Sequence, residues 1–268
     1  MSKNRKRTIW RSIMGLLLAG VLVTAYILGS DTRKELLCNR IHITIVDSLT
    51  TPYLTAESIR GYLAEDYGRL DSLAIDSLDF KKIETILNSK AGVLKSEAHI
   101  TNKGTLVITI EQRKPIIKFN AEKYSFYCDK DGYLLPLRDN FDREVLIVDG
   151  YIPIDTTNCR NGRPADPEAS EWLDDILMIA DNINSSELWK DKITKIHQKE
   201  TGELTITPKE GKEIFLFGDL TDIQEKFEKM KIYYERITPV NEEGAYNVVD
   251  LRFKKQIVCK QTEQKNKK

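Results

Sequence analysis

What a chain can fold into is constrained first by any run too apolar to be left in water, and Ile13 to Leu28, IMGLLLAGVLVTAYIL, is sixteen residues without a charge. With Ile9, Trp10 and Gly29 beside it, the segment reaches roughly the 20 residues that, at about 1.5 Å per residue, cross a ~30 Å hydrocarbon layer. The pattern predicts a transmembrane helix over residues 12–29, in which Ile13, Leu16, Leu17, Leu18, Val21, Leu22, Val23, Tyr26, Ile27 and Leu28 supply the apolar surface. Arg11 stands at its end, where a long side chain reaches the headgroups. Lys3, Arg5, Lys6, Arg7 and Arg11 come first with no acid among them, whereas Asp31, Arg33, Lys34 and Glu35 behind the run are of both signs. The positive-inside rule then leaves residues 1–11 as a cytoplasmic tail and sends the remainder across the membrane. A cleaved signal has a shorter apolar region followed by small residues, and no A-x-A pattern lies around Leu28, Gly29 and Ser30. Lys34 and Glu35 just before Cys38 argue against a lipoprotein signal. An uncleaved anchor is the expectation.

The 41 basic and 41 acidic residues balance, so no long-range field draws the chain to nucleic acid. Past the anchor, about 230 residues suffice for one large or two small domains with ordinary cores. Cys38, Cys128, Cys159 and Cys259 are far apart and form no C-x-x-C pair, so the spacing of a metal site is missing. Three pairings are open to them in an oxidising compartment. Mostly free cysteines on strands are the expectation, since a domain of this size needs no staples.

The first exported segment reads as one small unit. Ile41, Ile43 and Ile45 alternate with His42, Thr44 and Val46, a strand with one buried face. Thr55 caps a helix from Ala56 to Tyr67 that Gly68 stops, and Asp79 caps a second whose Phe80, Ile83, Ile86 and Leu87 share one side. Strands Val93 to Thr101 and Thr105 to Glu111 follow, joined by Asn102, Lys103 and Gly104. Two helices on one face of three strands bury every apolar side and leave sheet edges open. The order and size resemble a POTRA module, here residues 38–115. Gln112, Arg113, Lys114 and Pro115 resemble the E-R-x-P signature that closes this module in the bacterial division proteins FtsQ and DivIB, with Gln112 where the family usually has Glu.

Residues 116–260 read as a second, β-rich domain, with a polar tail at 261–268. Ile116 to Phe119 and Tyr124 to Cys128 are strands. Asp129, Gly132 and Pro136 are similar to the family's D-x-x-G-x-x-x-P pattern, and a tight turn accounts for the acids there better than calcium, whose later EF-hand ligands are missing. Val145 to Val148 is a short strand, and Asp166 with Pro167 starts a helix whose Trp172, Leu173, Ile176, Leu177, Ala180 and Ile183 form a core stripe. Ile193 to Lys199, Glu203 to Thr207 and Lys212 to Phe217 make a meander. Thr221 and Gln224 are placed for a capping box on a helix with Ile223, Phe227, Met230, Tyr234 and Ile237 on one side, ended before Pro239. Tyr246 to Lys260 reads as one long terminal strand with Val249, Leu251, Phe253, Ile257 and Cys259 on one face and Asp250, Arg252, Lys254 and Gln256 on the other. Phe217 to Leu220, FGDL, a helix carrying Lys226, and Val248 to Phe253, VVDLRF, together resemble the end of the FtsQ/DivIB β domain. The expected class is thus α+β: one membrane helix, a β-α-α-β-β POTRA module and a mixed or antiparallel β domain with helices.

Chemistry points away from catalysis. His42, His99 and His197 have no H-x-x-x-H or H-E-x-x-H companion, and no G-x-S-x-G, phosphate-cradling loop or S-x-x-K appears. No metal, cofactor or small-molecule substrate is expected, and carboxylate pairs such as Asp174 with Asp175, or Glu242 with Glu243, read as solvated. A last strand can instead leave backbone groups unpaired for an incoming strand. The resemblance implies a partner: in FtsQ proteins the terminal strand receives a strand of FtsB within a complex with FtsL. Asp250, Leu251, Arg252 and Phe253 match that motif, and Lys254, Lys255, Gln256, Ile257 and Val258 follow by adjacency. It also implies residence in the inner membrane at the septum, with a periplasmic C-terminal region, and control of septal peptidoglycan synthesis. A membrane-tethered periplasmic cell-wall enzyme or a sensor is the alternative. The anchor is directly testable: arginines at Leu18 and Val21 together add about 5 kcal/mol to the cost of insertion. The variant is expected in the soluble fraction after alkaline extraction, and the wild type in the membrane pellet at full-length mass.

Overall fold

The computed structural model describes residues 10, 13–26, 38, 40–46, 52–68, 70, 73–102, 104–139, 141–210, 213–240 and 246–261. Contacts divide the chain into Met1–Gln112 and Arg113–Lys268. Residues 13–26 are helical, and Leu16, Leu17, Leu18, Val21, Leu22, Val23 and Tyr26 are all exposed. Ile27 and Leu28 lie outside the described residues, among which no helix is long and apolar enough to cross a membrane.

In the first unit, strand β1 (Arg40–Val46), helices α1 (Ala56–Asp66) and α2 (Phe80–Asn88), and strands β2 (Val93–Ile100) and β3 (Thr105–Gln112) follow the expected order. The sheet order is β1-β3-β2, with β1 parallel and β2 antiparallel to the central β3. Central position explains the burial of alternate β3 residues: Leu106, Ile108 and Ile110 are sealed under Ile59, Leu63, Ile83 and Leu87 of the helices. Thr55 and Ser58 form a reciprocal capping box, Asp79 accepts the Lys82 amide at 2.9 Å, and Gly68 turns away at φ +100°. Gln112 is buried, its side-chain oxygen accepting the Leu54 amide at 2.9 Å.

The second unit holds a nine-stranded sheet built from β4 (Pro115–Ala121), β5 (Ser125–Asp129), β6 (Leu134–Pro136), β7 (Leu146–Gly150), β10 (Ile193–Gln198), β11 (Leu204–Pro208), β12 (Ile214–Gly218), β13 (Val248–Asp250) and β14 (Val258–Lys260). A separate ribbon pairs β8 (Cys159–Arg160) with β9 (Arg163–Pro164). The order is β14-β13-β12-β11-β10-β7-β4-β5-β6. Within it β4, β7 and β10 run parallel, as do β12 and β13, while the remaining neighbours are antiparallel. Helix α3 (Pro167–Ser185) lies on the crossover from β7 to β10, and α4 (Ile223–Ile232) on the crossover from β12 to β13. Their apolar sides join one core in which Phe119 stacks on Phe126 at 5.0 Å and meets Trp172 at 5.7 Å.

Three expectations are corrected. Tyr246 to Lys260 is not one strand but a hairpin: β14 folds back antiparallel onto β13, with Val249 opposite Cys259. The break falls where Asp250 accepts the Arg252 amide and Lys255 takes φ +57°. Asp250, which alternation sets on the face opposite Val249 and Leu251, is nevertheless buried at 1% exposure, whereas Phe253, which alternation sets on the same face as those two buried residues, is 50% exposed. Thr221 and Gln224 make no capping box. The N-cap is Asp222 at φ +49° with no side-chain cap, and Thr221 instead gives its amide and hydroxyl to Asp219 Oδ1. Nor does the helix stop short of Pro239; α4 passes into a π-helical turn, Tyr233–Ile237, and a 3-10 turn, Thr238–Val240. The sealed aromatic cluster gives a measurable consequence. Phe119→Ala is expected to destabilise the second unit by about 3–5 kcal/mol, read as a lower urea midpoint at unchanged slope.

Candidate functional site

Two sheet edges are candidates for pairing with another chain. In the first unit the outer margin of β2 is partly closed: Glu84 of α2 accepts the Ala98 amide at 2.8 Å, and Ser96 donates to Asn88 at 2.9 Å. That contact replaces one of the hydrogen bonds an added strand would make. In the second unit β14 is, among the described residues, the last strand at one end of the sheet, with β13 as its neighbour there. Ile257, Val258 and Cys259 there are half-buried.

The nine residues expected to bind a partner divide three ways. Asp250 and Leu251 are buried, and their strand is covered by β14. Arg252, Phe253, Lys254, Lys255 and Gln256 form the exposed connection between the strands. Ile257 ends the connection and Val258 opens the edge strand, so the margin lies later in the chain than one long strand implies.

Arg252 is anchored internally. Its Nε and Nη2 donate to the two oxygens of Asp250 at 2.9 and 2.8 Å, and its Nη1 donates to Glu203 Oε1 at 2.7 Å. Glu203 Oε2 in turn accepts from Lys199 at 3.1 Å. These bonds to Arg252 hold the Asp250 and Glu203 carboxyls below their ordinary range and raise the guanidinium further. Gly218 makes room for this arrangement. At φ +81°, a Cβ there would lie 2.7 Å from Arg252 Cγ.

Beneath the connection, α4 turns two lysines inward. Lys226 Nζ donates to the carbonyl of Asp219 at 2.8 Å and to its Oδ1 at 2.7 Å, and lies over the Phe217 ring. Lys229 Nζ donates to the carbonyls of Leu251 at 3.1 Å and Phe253 at 2.7 Å and pairs with Glu225 at 2.9 Å. Both side chains are buried, which full pairing makes tolerable. The expected positions single out Lys226 but not Lys229. The available signal is spacing, since Lys229 lies three residues from Lys226 and four from Glu225 beside the stripe of Phe227 and Met230. A cleft of about 390 Å³ borders these groups, its charges largely neutralised by one another.

The other singled-out residues are structural. Arg113 Nη1 pairs with Asp129 Oδ2 at 2.7 Å, and its guanidinium lies 3.9 Å from the centre of the Tyr133 ring. Asp129 Oδ1 accepts the amides of Asp131 and Tyr133, with Gly132 at φ +78°, so that loop is a tight turn tied to the QRKP segment. Among the described residues no group of three or more His, Cys, Asp or Glu is placed to hold a metal ion. His42 and His99 sit opposite Val107 from either side of β3, about 10 Å apart at ordinary strand spacing. His197 pairs instead with Asp149 at 2.8 Å. Cys128, Cys159 and Cys259 are free thiols, and burial raises all three above the ordinary range.

Asp219 gives the site an acid limit. The Lys226 ammonium, with the Thr221 hydroxyl, lowers its carboxyl from an ordinary 3.8 to about 2. Its stabilising contribution is complete above the unfolded value and is lost as pH falls through about 2. Melting curves of wild type and Asp219→Asn are expected to be furthest apart above about pH 5 and to converge below that window.

Comparison with known proteins agrees with this division of the chain. A family model described as FtsQ/DivIB, C-terminal related, matches residues 114–260, and one described as a POTRA-like domain matches residues 36–111. No curated protein matches the chain.

Proposed function

Because the chain belongs to the FtsQ/DivIB family, whose model covers more than half of it, we propose that it is a membrane-anchored, non-enzymatic divisome scaffold that captures FtsB/FtsL-type proteins by strand addition. Family membership makes it a division-related scaffold. The finer reading takes residues 12–29 as a single inner-membrane span, with the tail at 1–11 in the cytoplasm and the two exported units in the periplasm at the septum. In this reading the captured pair helps regulate septal peptidoglycan synthesis.

One observation carries the choice of docking surface: β14 ends the large sheet with a margin of backbone groups on the side away from β13. An added strand satisfies such groups, and neighbouring side chains supply specificity. Phe253, half exposed beside that margin, supplies apolar area, with Lys254 and Lys255 charged next to it. The β2 margin is the weaker candidate because Glu84 already holds the Ala98 amide.

Replacing Phe253 by Ala or by Lys is expected to weaken binding of an FtsB-type segment about tenfold or more. Titration calorimetry on the full-length chain measures this, with circular dichroism checking the fold. Unchanged affinity in a folded variant removes β14 and its connection as the docking surface.

A further inference from the structure

We propose that Lys229 and Glu225, one turn apart on α4, are a positioning pair that sets the shape of the β13–β14 connection and thereby the placement of the β14 margin. This rests on the reading of β14 as the docking surface. A three-residue edge strand has few ladder bonds of its own, so the connection Leu251–Ile257 must be held by something else. Asp250 orders its start by accepting the Arg252 amide, and the Gln256 amide reaches the Phe253 carbonyl at 3.3 Å. Glu203 holds the Arg252 side chain and the Leu216 carbonyl accepts the Leu251 amide at 3.1 Å, and α4 adds two further anchors of opposite sign.

The Lys229 ammonium takes the carbonyls of Leu251 and Phe253, while Glu225 Oε1 accepts the Lys255 amide at 3.0 Å. Glu225 also closes the circuit by accepting from Lys229 at 2.9 Å. The Lys255 amide and the Lys229 ammonium together hold its carboxyl below the ordinary range. The Lys255 backbone supplies an independent sign of constraint. At φ +57° it occupies the left-handed region, which a residue with a side chain rarely adopts. The Glu225 carboxylate is what receives the N–H that this conformation presents. Phe253 lies between the gripped Leu251 carbonyl and Lys255 amide, with its own carbonyl held by Lys229 and its side chain half exposed.

Lys226 provides the control. It is buried in the same helix to the same degree, but its ammonium grips Asp219, not the connection. Hydrogen exchange of the full-length chain, followed by mass spectrometry without any partner, separates the two. Lys229→Met is expected to speed exchange of peptides spanning 251–260 by about tenfold or more, whereas Lys226→Met leaves them unchanged. Lys229→Arg, which keeps charge and donors, is expected to restore much of the protection, and Glu225→Gln, which keeps an acceptor, to fall between. Equal loosening by Lys226→Met and Lys229→Met, or none by Lys229→Met, overturns the pairing.

Capture of the FtsB-type segment used for the Phe253 variants gives the second arm. It is expected to weaken about tenfold in Lys229→Met and not in Lys226→Met. Intact capture in Lys229→Met with a loosened connection overturns the positioning role. Intact capture in Phe253→Lys instead removes the docking surface, and the exchange pattern still decides the grip of α4 on the connection.

Discussion

Parallel neighbours in a sheet cannot be joined by a tight turn, and this one constraint organises the larger unit. Going from β7 to β10, and from β12 to β13, the chain must leave the sheet and return, and each time it does so through a helix. Both crossover helices bring apolar stripes to the sheet, which is why Phe119, Trp172, Phe217 and Phe227 belong to a single core. The second crossover has a further effect. It delivers α4 beside the end of the sheet, so a helix whose sequence looks ordinarily amphipathic becomes the support for the last hairpin.

That support is electrostatic because the backbone there has little else to bond with. A segment that leaves a strand, turns and comes back strands its carbonyls and amides away from any ladder. Lys229 and Glu225 meet these groups with one charge of each sign, and each charge is itself paired, which offsets the cost of burying an ammonium. The same economy appears with Arg252, held between Asp250 and Glu203, and with Lys226 on Asp219. The margin of β14 thus rests on a base in which each of these charges has a partner, and the exposed Phe253 is left as the apolar feature beside it.

Much of this was legible along the chain. Alternation located β1 and β3, and spacing of three and four located α1, α2 and α3, because burial of one face is a local property that repeats every two or 3.6 residues. Caps at Thr55, Asp79 and Asp166 were legible for the same reason: each side chain bonds an amide two or three residues away. The QRKP and D-x-x-G motifs were visible as motifs. That Arg113 and Asp129 form one ion pair was not, since they meet only after β4 and β5 have paired.

The end of the chain shows where such reading stops. Tyr246 to Lys260 alternates as a strand should, yet Asp250 turns inward to Arg252 and the chain doubles back. Thr221 and Gln224 have the spacing of a capping box, yet the N-cap falls on Asp222 and Thr221 turns its hydroxyl to Asp219. Local order therefore determined most of the elements and the membership of a family. Only the tertiary structure decided which strand ends the large sheet and which lysine grips it. Those outcomes depend on contacts between residues more than twenty positions apart, such as Lys229 with Leu251 and Phe253, and no periodicity in a single stretch encodes them.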